Sequence, residues 1–86
     1  MRFLLVEDNI ELANAICSRM QLDGHVIDHA ANLNDADAFS RTGEYDLILL
    51  DIMLPDGDGR SFLKAHRAGE NDTPVIVLTA RSQVSD

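Results

Sequence analysis

Acidic side chains stand at the ends of two short apolar runs, and a hydroxyl stands at the end of a third. Phe3 to Val6 runs into Glu7 and Asp8, Leu47 to Leu50 runs into Asp51, and Val75 to Leu78 runs into Thr79. Runs of this length bounded by polar residues read as buried strands. If the strands are parallel, their carboxyl ends share the edge where open α/β sheets do their chemistry. Carboxylates gathered there repel one another, so at least one stays protonated unless a cation joins them. Hard oxygen donors select Mg²⁺ or Mn²⁺, with waters completing the octahedron. A metal beside Asp51 would neutralise an incoming phosphoryl group and position it for in-line attack. The Asp51 carboxylate would be the attacking group, giving an acyl phosphate, and Thr79 would donate a hydrogen bond to a phosphate oxygen. Taken singly, Asp51 reads as a loop or helix cap and Thr79 as a satisfied strand-end hydroxyl. Their joint spacing favours the site.

The elements that must position these residues alternate along the chain. Phe3 to Val6 opens it as a strand. Asp8 with Glu11 resembles a capping box, so a helix should begin near Asn9. Leu12, Ile16 and Met20, with Ala13 and Cys17 beside them, make its apolar stripe. Gly24 ends that helix. His25 to Ala30 mixes polar and apolar residues as an edge strand would. Asn32 can cap a second helix marked by Leu33, Ala36 and Phe39, and Gly43 ends it. The central strand, Asp46 to Leu50, leads to Asp51, and Pro55, Gly57 and Gly59 then make a loop. Phe62, Leu63, Ala65 and His66 predict a third helix ending near Gly69. Pro74 opens the last strand. The order βαβαβαβ implies a parallel sheet with right-handed crossovers.

Composition narrows the function classes. The chain has 86 residues, with 15 acidic against 7 basic and a net charge of -8. That argues against nucleic acid or an anionic membrane as a partner of this segment. It suits a cation site, although solvating surface charge explains most of it. A lone cysteine, Cys17, allows no internal disulfide and suits a reducing cytoplasm. The first apolar run is too short for a signal peptide or a membrane span. His25, His29 and His66 lack metal-ligand spacing and read as surface histidines. Cys17 reads as core packing, and Asp56 and Asp58 read as turn and N-cap residues.

The stretches FLLVEDN at 3 to 9, YDLILLDIMLPDGDG at 45 to 59 and PVIVLTAR at 74 to 81 resemble the receiver domain of two-component response regulators. The resemblance implies a flavodoxin-like sheet of order 2-1-3-4 with flanking helices. Asp51 would match the phosphoacceptor and Asp8 the direct metal ligand, with Glu7 holding metal-bound water. Met53 would offer its backbone carbonyl to the Mg²⁺ (or Mn²⁺). Thr79 would match the switch hydroxyl, with the small Ala80 leaving space beside it. The implied donor is a histidine kinase. LPDGDG followed by TAR resembles members with a downstream winged-helix DNA-binding domain, through which DNA would be reached.

The family's fifth strand, its lysine and its switch aromatic correspond to positions beyond Asp86, so the resemblance covers about the first two-thirds of a receiver. The single lysine, Lys64, falls in the third helix, and impaired phosphorylation and switching are expected of this chain by itself. Without a fifth strand, Val75 to Leu78 would form an apolar edge. Two copies are then expected to pair along it about a two-fold axis or to exchange elements. Other classes fit less well. An aspartyl-nucleophile phosphohydrolase wants an aspartate where Met53 stands. A flavin or nucleotide domain wants a glycine-rich phosphate loop where Glu7, Asp8 and Asn9 stand. A truncated dimerisation module without phosphotransfer remains the other alternative.

Overall fold

The computed structural model describes residues 1–69 and 73–78. Its elements are β1 (Arg2–Val6), α1 (Ile10–Leu22), β2 (Val26–Ala30), α2 (Leu33–Thr42), β3 (Leu47–Asp51), β4 (Met53–Leu54), β5 (Gly57–Asp58), α3 (Gly59–Ala68) and β6 (Val75–Leu78). The long strands form one parallel sheet in the order β2-β1-β3-β6. This is the predicted 2-1-3-4 order, with β6 as its fourth strand. The stretch expected to be a loop after Asp51 instead holds a small antiparallel hairpin, in which Met53 pairs with Asp58 and Leu54 with Gly57.

From β1 the chain crosses through α1 to β2, then returns through α2 past β1 to β3. Right-handed crossovers running in opposite directions place their helices on opposite faces. Strand alternation supplies both faces with apolar side chains. Leu4, Val6, Ile48 and Leu50 pack with Ala36 of α2 and Phe62 of α3. Phe3, Leu5 and Ile27 pack with Ala13 of α1, against which Ile16, Cys17 and Met20 also lie. Leu12, predicted to belong to this stripe, is 44% exposed. It sits at the flank of a band centred on Ala13, Ile16, Cys17 and Met20, whose i, i+3, i+4, i+7 spacing fits the sheet better. Burial pushes the Cys17 thiol up, as expected of a packing residue. At the far end of α1 the Gly24 N–H donates to the Gln21 carbonyl and the His25 N–H to the Met20 carbonyl, closing the last turn.

The amino ends of the strands are tied by a polar knot. The Tyr45 hydroxyl donates to Asp28 Oδ2 at 2.6 Å, and Arg2 approaches the same oxygen at 3.3 Å. Arg2 also lies over the Tyr45 ring, 5.2 Å from its centroid. Burial, with Asp28 adding to it, pushes the Tyr45 phenol up from 10.0 to about 12. The folded chain therefore holds this proton more tightly than the unfolded one. Its contribution is fully present below 10.0 and is lost as pH rises towards about 12. Denaturant midpoints taken across that alkaline range should fall steeply for the wild type. The fall should be shallower for Tyr45→Phe, which has no proton there to lose.

Candidate functional site

Register brings the acidic residues together. Val6 of β1 stands opposite Leu50 of β3, so the next step along each strand sets Glu7 beside Asp51. Carboxylate oxygens of Glu7, Asp8 and Asp51 lie within 4.8 Å of one another. Glu7 is 5% exposed and Asp51 7%. Asp8 reaches the surface, but its Oδ1 is buried with no hydrogen-bond partner. The cluster sits between β1 and β3, where the chain's crossovers change direction. Ligands of open α/β sheets bind at this kind of switch point.

Backbone contacts hold Glu7 in place. Its N–H donates to the Ala30 carbonyl at 3.0 Å, and its own carbonyl lies 2.7 Å from His29 Nε2. Its Oε2 accepts the Asn9 N–H at 3.1 Å. Burial pushes the Glu7 carboxyl up, the Asn9 N–H pulls it back, and the charges of Asp51 and Asp8 push it further up.

The cap of α1 differs from expectation. It is Asn9, whose Oδ1 accepts the Leu12 N–H at 3.0 Å, and the helix begins at Ile10. Asp8 is thereby left to the cluster. Sequence held the signal, since Asn directly before the helix ranks with Asp as an N-cap.

On the other side of Asp51, Gly59 is the buried first residue of α3 and not part of a loop. Its N–H donates to the Ile52 carbonyl. A Cβ there would collide with the Asp51 carbonyl oxygen and lie 2.9 Å from Ile52 Cα. Gly59 thus lets α3 start directly against the backbone of Asp51. Met53 opens β4. Thr79 and Ala80 lie outside the described residues. Asp58 caps α3 as expected, accepting the Arg60 N–H at 2.8 Å. Asp56 does something no local pattern signals: it caps α2, accepting the Leu33 and Asn34 N–H groups.

The histidines, read as surface residues, are each half-buried and engaged. His25 packs edge-on against Phe3, His29 meets Glu7, and His66 stacks on Phe62 with Nε2 2.9 Å from the Thr73 carbonyl. None joins a metal-type cluster among the described residues, where Glu7, Asp8 and Asp51 form the one found.

The donor set fits a hard divalent cation. It is all carboxylate, two of its members are buried, and one buried oxygen has no donor facing it. The ion pairs found among the described residues, Arg2–Asp28, Arg19–Asp23, Arg41–Asp37 and Arg60–Asp58, leave the cluster uncompensated.

A doubly wound sheet with an acidic cluster at its switch point defines an α/β domain with a candidate divalent-cation site. Residues 3–86 match the response regulator receiver domain family, and the chain belongs to it. It is a signalling domain of two-component response regulators. The chain is 42% identical over 84 residues to the swarming motility regulation protein RssB of Serratia marcescens, covering 98% of this chain and 38% of that protein. It is 45% identical over 86 residues to the transcriptional regulatory protein DltR of Streptococcus agalactiae, covering 100% of this chain and 38% of that protein. The response regulator protein TrrA of Thermotoga maritima, solved in complex with Mg²⁺-BeF, superposes with a TM-score of 0.87 at 34% identity, over 99% of this chain and 75% of that one. The chain thus spans well under half the length of these curated relatives. No helix among the described residues is long and apolar enough to cross a membrane.

Glu7 offers a test of the cluster's electrostatics. The fold raises its pKa above the ordinary 4.5, so its ionisation lowers stability as pH climbs past 4.5. Glu7→Gln keeps an acceptor for Asn9 and removes the charge. In chelator at neutral pH the variant should melt above the wild type, and the gap should close as pH falls below 4.5. A gap that persists in acid, in thermal melts followed by circular dichroism, would point to shape rather than charge.

Proposed function

We propose that this chain is the phosphorylation-controlled switch of a cytoplasmic two-component regulator, with Asp51 as phosphoacceptor and a histidine kinase as donor. The observation that carries this reading is the Glu7, Asp8 and Asp51 cluster at the switch point, which no ion pair found among the described residues compensates. Asp8 and Asp51 would hold Mg²⁺ (or Mn²⁺) directly, Glu7 would hold a metal-bound water, and the Met53 carbonyl would complete the protein's share. When bound, the metal supplies charge neutralisation for the phosphoryl oxygens. An Asp51 carboxylate oxygen attacks phosphorus as the phosphorus–nitrogen bond to the kinase imidazole breaks. The electron pair stays on that nitrogen, and Asp51 is left as an acyl phosphate. The Thr79 hydroxyl then moves onto the phosphoryl group. Residues 1–86 act as one receiver unit. The relatives' names support output to transcription, and the resemblance of LPDGDG followed by TAR supports a winged-helix DNA-binding domain as its route.

Mn²⁺ added to the protein should broaden amide signals around Asp8 and Asp51 before any others. Asp8→Asn combined with Asp51→Asn should abolish the effect. Intact mass after incubation with a small phosphodonor should show one added phosphoryl group, dependent on Mg²⁺ and absent in Asp51→Asn. The chain's single lysine, Lys64, lies in α3, so modification of residues 1–86 alone should be slow. Modification of Asp51→Asn to the same extent would refute the assignment.

Association of two copies along β6 is a second reading. It rests on Ile76, which is 51% exposed on a strand with one neighbour among the described residues. Sedimentation should show a concentration-dependent dimer that Ile76→Lys removes. A monomer at every concentration would end this reading.

A further inference from the structure

We propose that Asp56 is a positioning residue for the metal site: by tying the β4–β5 turn to the first turn of α2, its carboxylate fixes the segment that carries the Met53 carbonyl. The inference rests on the reading of Glu7, Asp8, Asp51 and Met53 as that site.

A backbone carbonyl cannot be aimed by its own side chain. Its place is set by what holds the chain on either side. Before Met53 the chain is held by β3, where Asp51 pairs with Leu78 of β6. After Met53 it enters a hairpin of two-residue strands. A hairpin that short is not stable on its own and needs an external hold.

Asp56 supplies that hold from the hairpin's tip. Its Oδ1 accepts the Leu33 N–H at 2.8 Å and its Oδ2 accepts the Asn34 N–H at 3.0 Å. Both N–H groups belong to the first turn of α2 and have no partner within the helix. A negative charge is favoured there as well. The helix also has a local cap, since Asn32 Oδ1 accepts the Asp35 N–H at 2.8 Å. Asp56 therefore adds a link across 22 to 23 residues of chain, and not merely a cap.

The neighbouring residues fit a close contact. Gly57 has a φ of +151°, and a Cβ on it would come within 2.9 Å of Leu33 Cδ1. Leu33 and Leu54 pack against the same core cluster. The turn thus lies flush on the start of α2, with Asp56 as its polar fastening.

The test compares Mn²⁺ affinity in the full chain, read from the paramagnetic resonance of free Mn²⁺. Outer-shell partners of metal ligands are worth about 10- to 100-fold in affinity. Asp56→Ala should weaken binding by about tenfold, at the lower end of that range. Asp56→Asn, which keeps one acceptor oxygen, should fall between Asp56→Ala and the wild type. Asn32→Ala uncaps the same helix without touching the hairpin. It should lower the melting temperature and leave Mn²⁺ affinity unchanged.

Wild-type affinity in Asp56→Ala overturns the proposal, as does an equal loss of affinity in Asn32→Ala. If Asp56→Ala does not fold, Asp56→Asn decides, and full wild-type affinity there overturns the proposal. Failure of the underlying reading looks different. The wild type would not bind Mn²⁺, or Asp51→Asn would bind it equally well, and the positioning role would fall with the site.

Discussion

Like charges held together by sheet register are the constraint on which this structure turns. β1 and β3 are neighbours and run parallel, so the residues that end them are neighbours too. With carboxylate oxygens within 4.8 Å, full ionisation of one pair costs roughly 3 kcal/mol at the effective dielectric of a protein. Burying one large apolar side chain returns about 1.5–3 kcal/mol. Leu4, Leu5, Val6, Ile48 and Leu50, all fully buried in the same two strands, are enough to hold the acids where they would not stay by themselves. The core and the site are therefore one device. The strands that fill the centre of the sheet also deliver the charges to its edge.

Around this strained point, the chain is fastened by contacts that use no cation. Asn9 takes over the start of α1, Gly59 lets α3 begin against the Asp51 backbone, and the Asp56 carboxylate joins the hairpin to α2. None of these lowers the repulsion within the cluster. Each fixes backbone next to it, so the carboxylates gain little by moving apart. A divalent cation would meet donors already assembled, and little ordering would remain to be done on binding.

Much of this was legible in the sequence because the signals are local. Apolar runs ending in acid marked β1 and β3, and glycines marked where α1 and α2 stop. With the strands parallel, Glu7, Asp8 and Asp51 had to share an edge. What escaped depends on contacts remote in sequence or on choices between near-equal neighbours. Asp8 and Asn9 are both good caps by residue type, and the hydrogen bond from the Leu12 N–H to Asn9 Oδ1 shows which one is used. The β4–β5 hairpin is too short to show any alternation. Asp56 looks like a turn residue because its partners, Leu33 and Asn34, lie far back in the chain. Gly59 reads as a loop glycine until the Asp51 carbonyl is seen where its Cβ would go.

The choice of Asn at position 9 follows from the same electrostatics. An aspartate there would cap as well as asparagine, and its charge would gain about 0.3–1 kcal/mol from the helix dipole. It would also add a carboxylate directly after Asp8, at the end of the sheet that already gathers Glu7, Asp8 and Asp51. The neutral amide gives the hydrogen bond without the repulsion. Elsewhere the chain compensates acids freely. Asp23, Asp28, Asp37 and Asp58 face arginines, and Asp46 and Asp56 accept backbone N–H groups. A net charge of -8 therefore does not mark the site, since most acids are paired or solvated. What marks it is that Glu7, Asp8 and Asp51 are brought together with a buried oxygen left unpartnered, at the one place in the described sheet where a cation would be enclosed by oxygen.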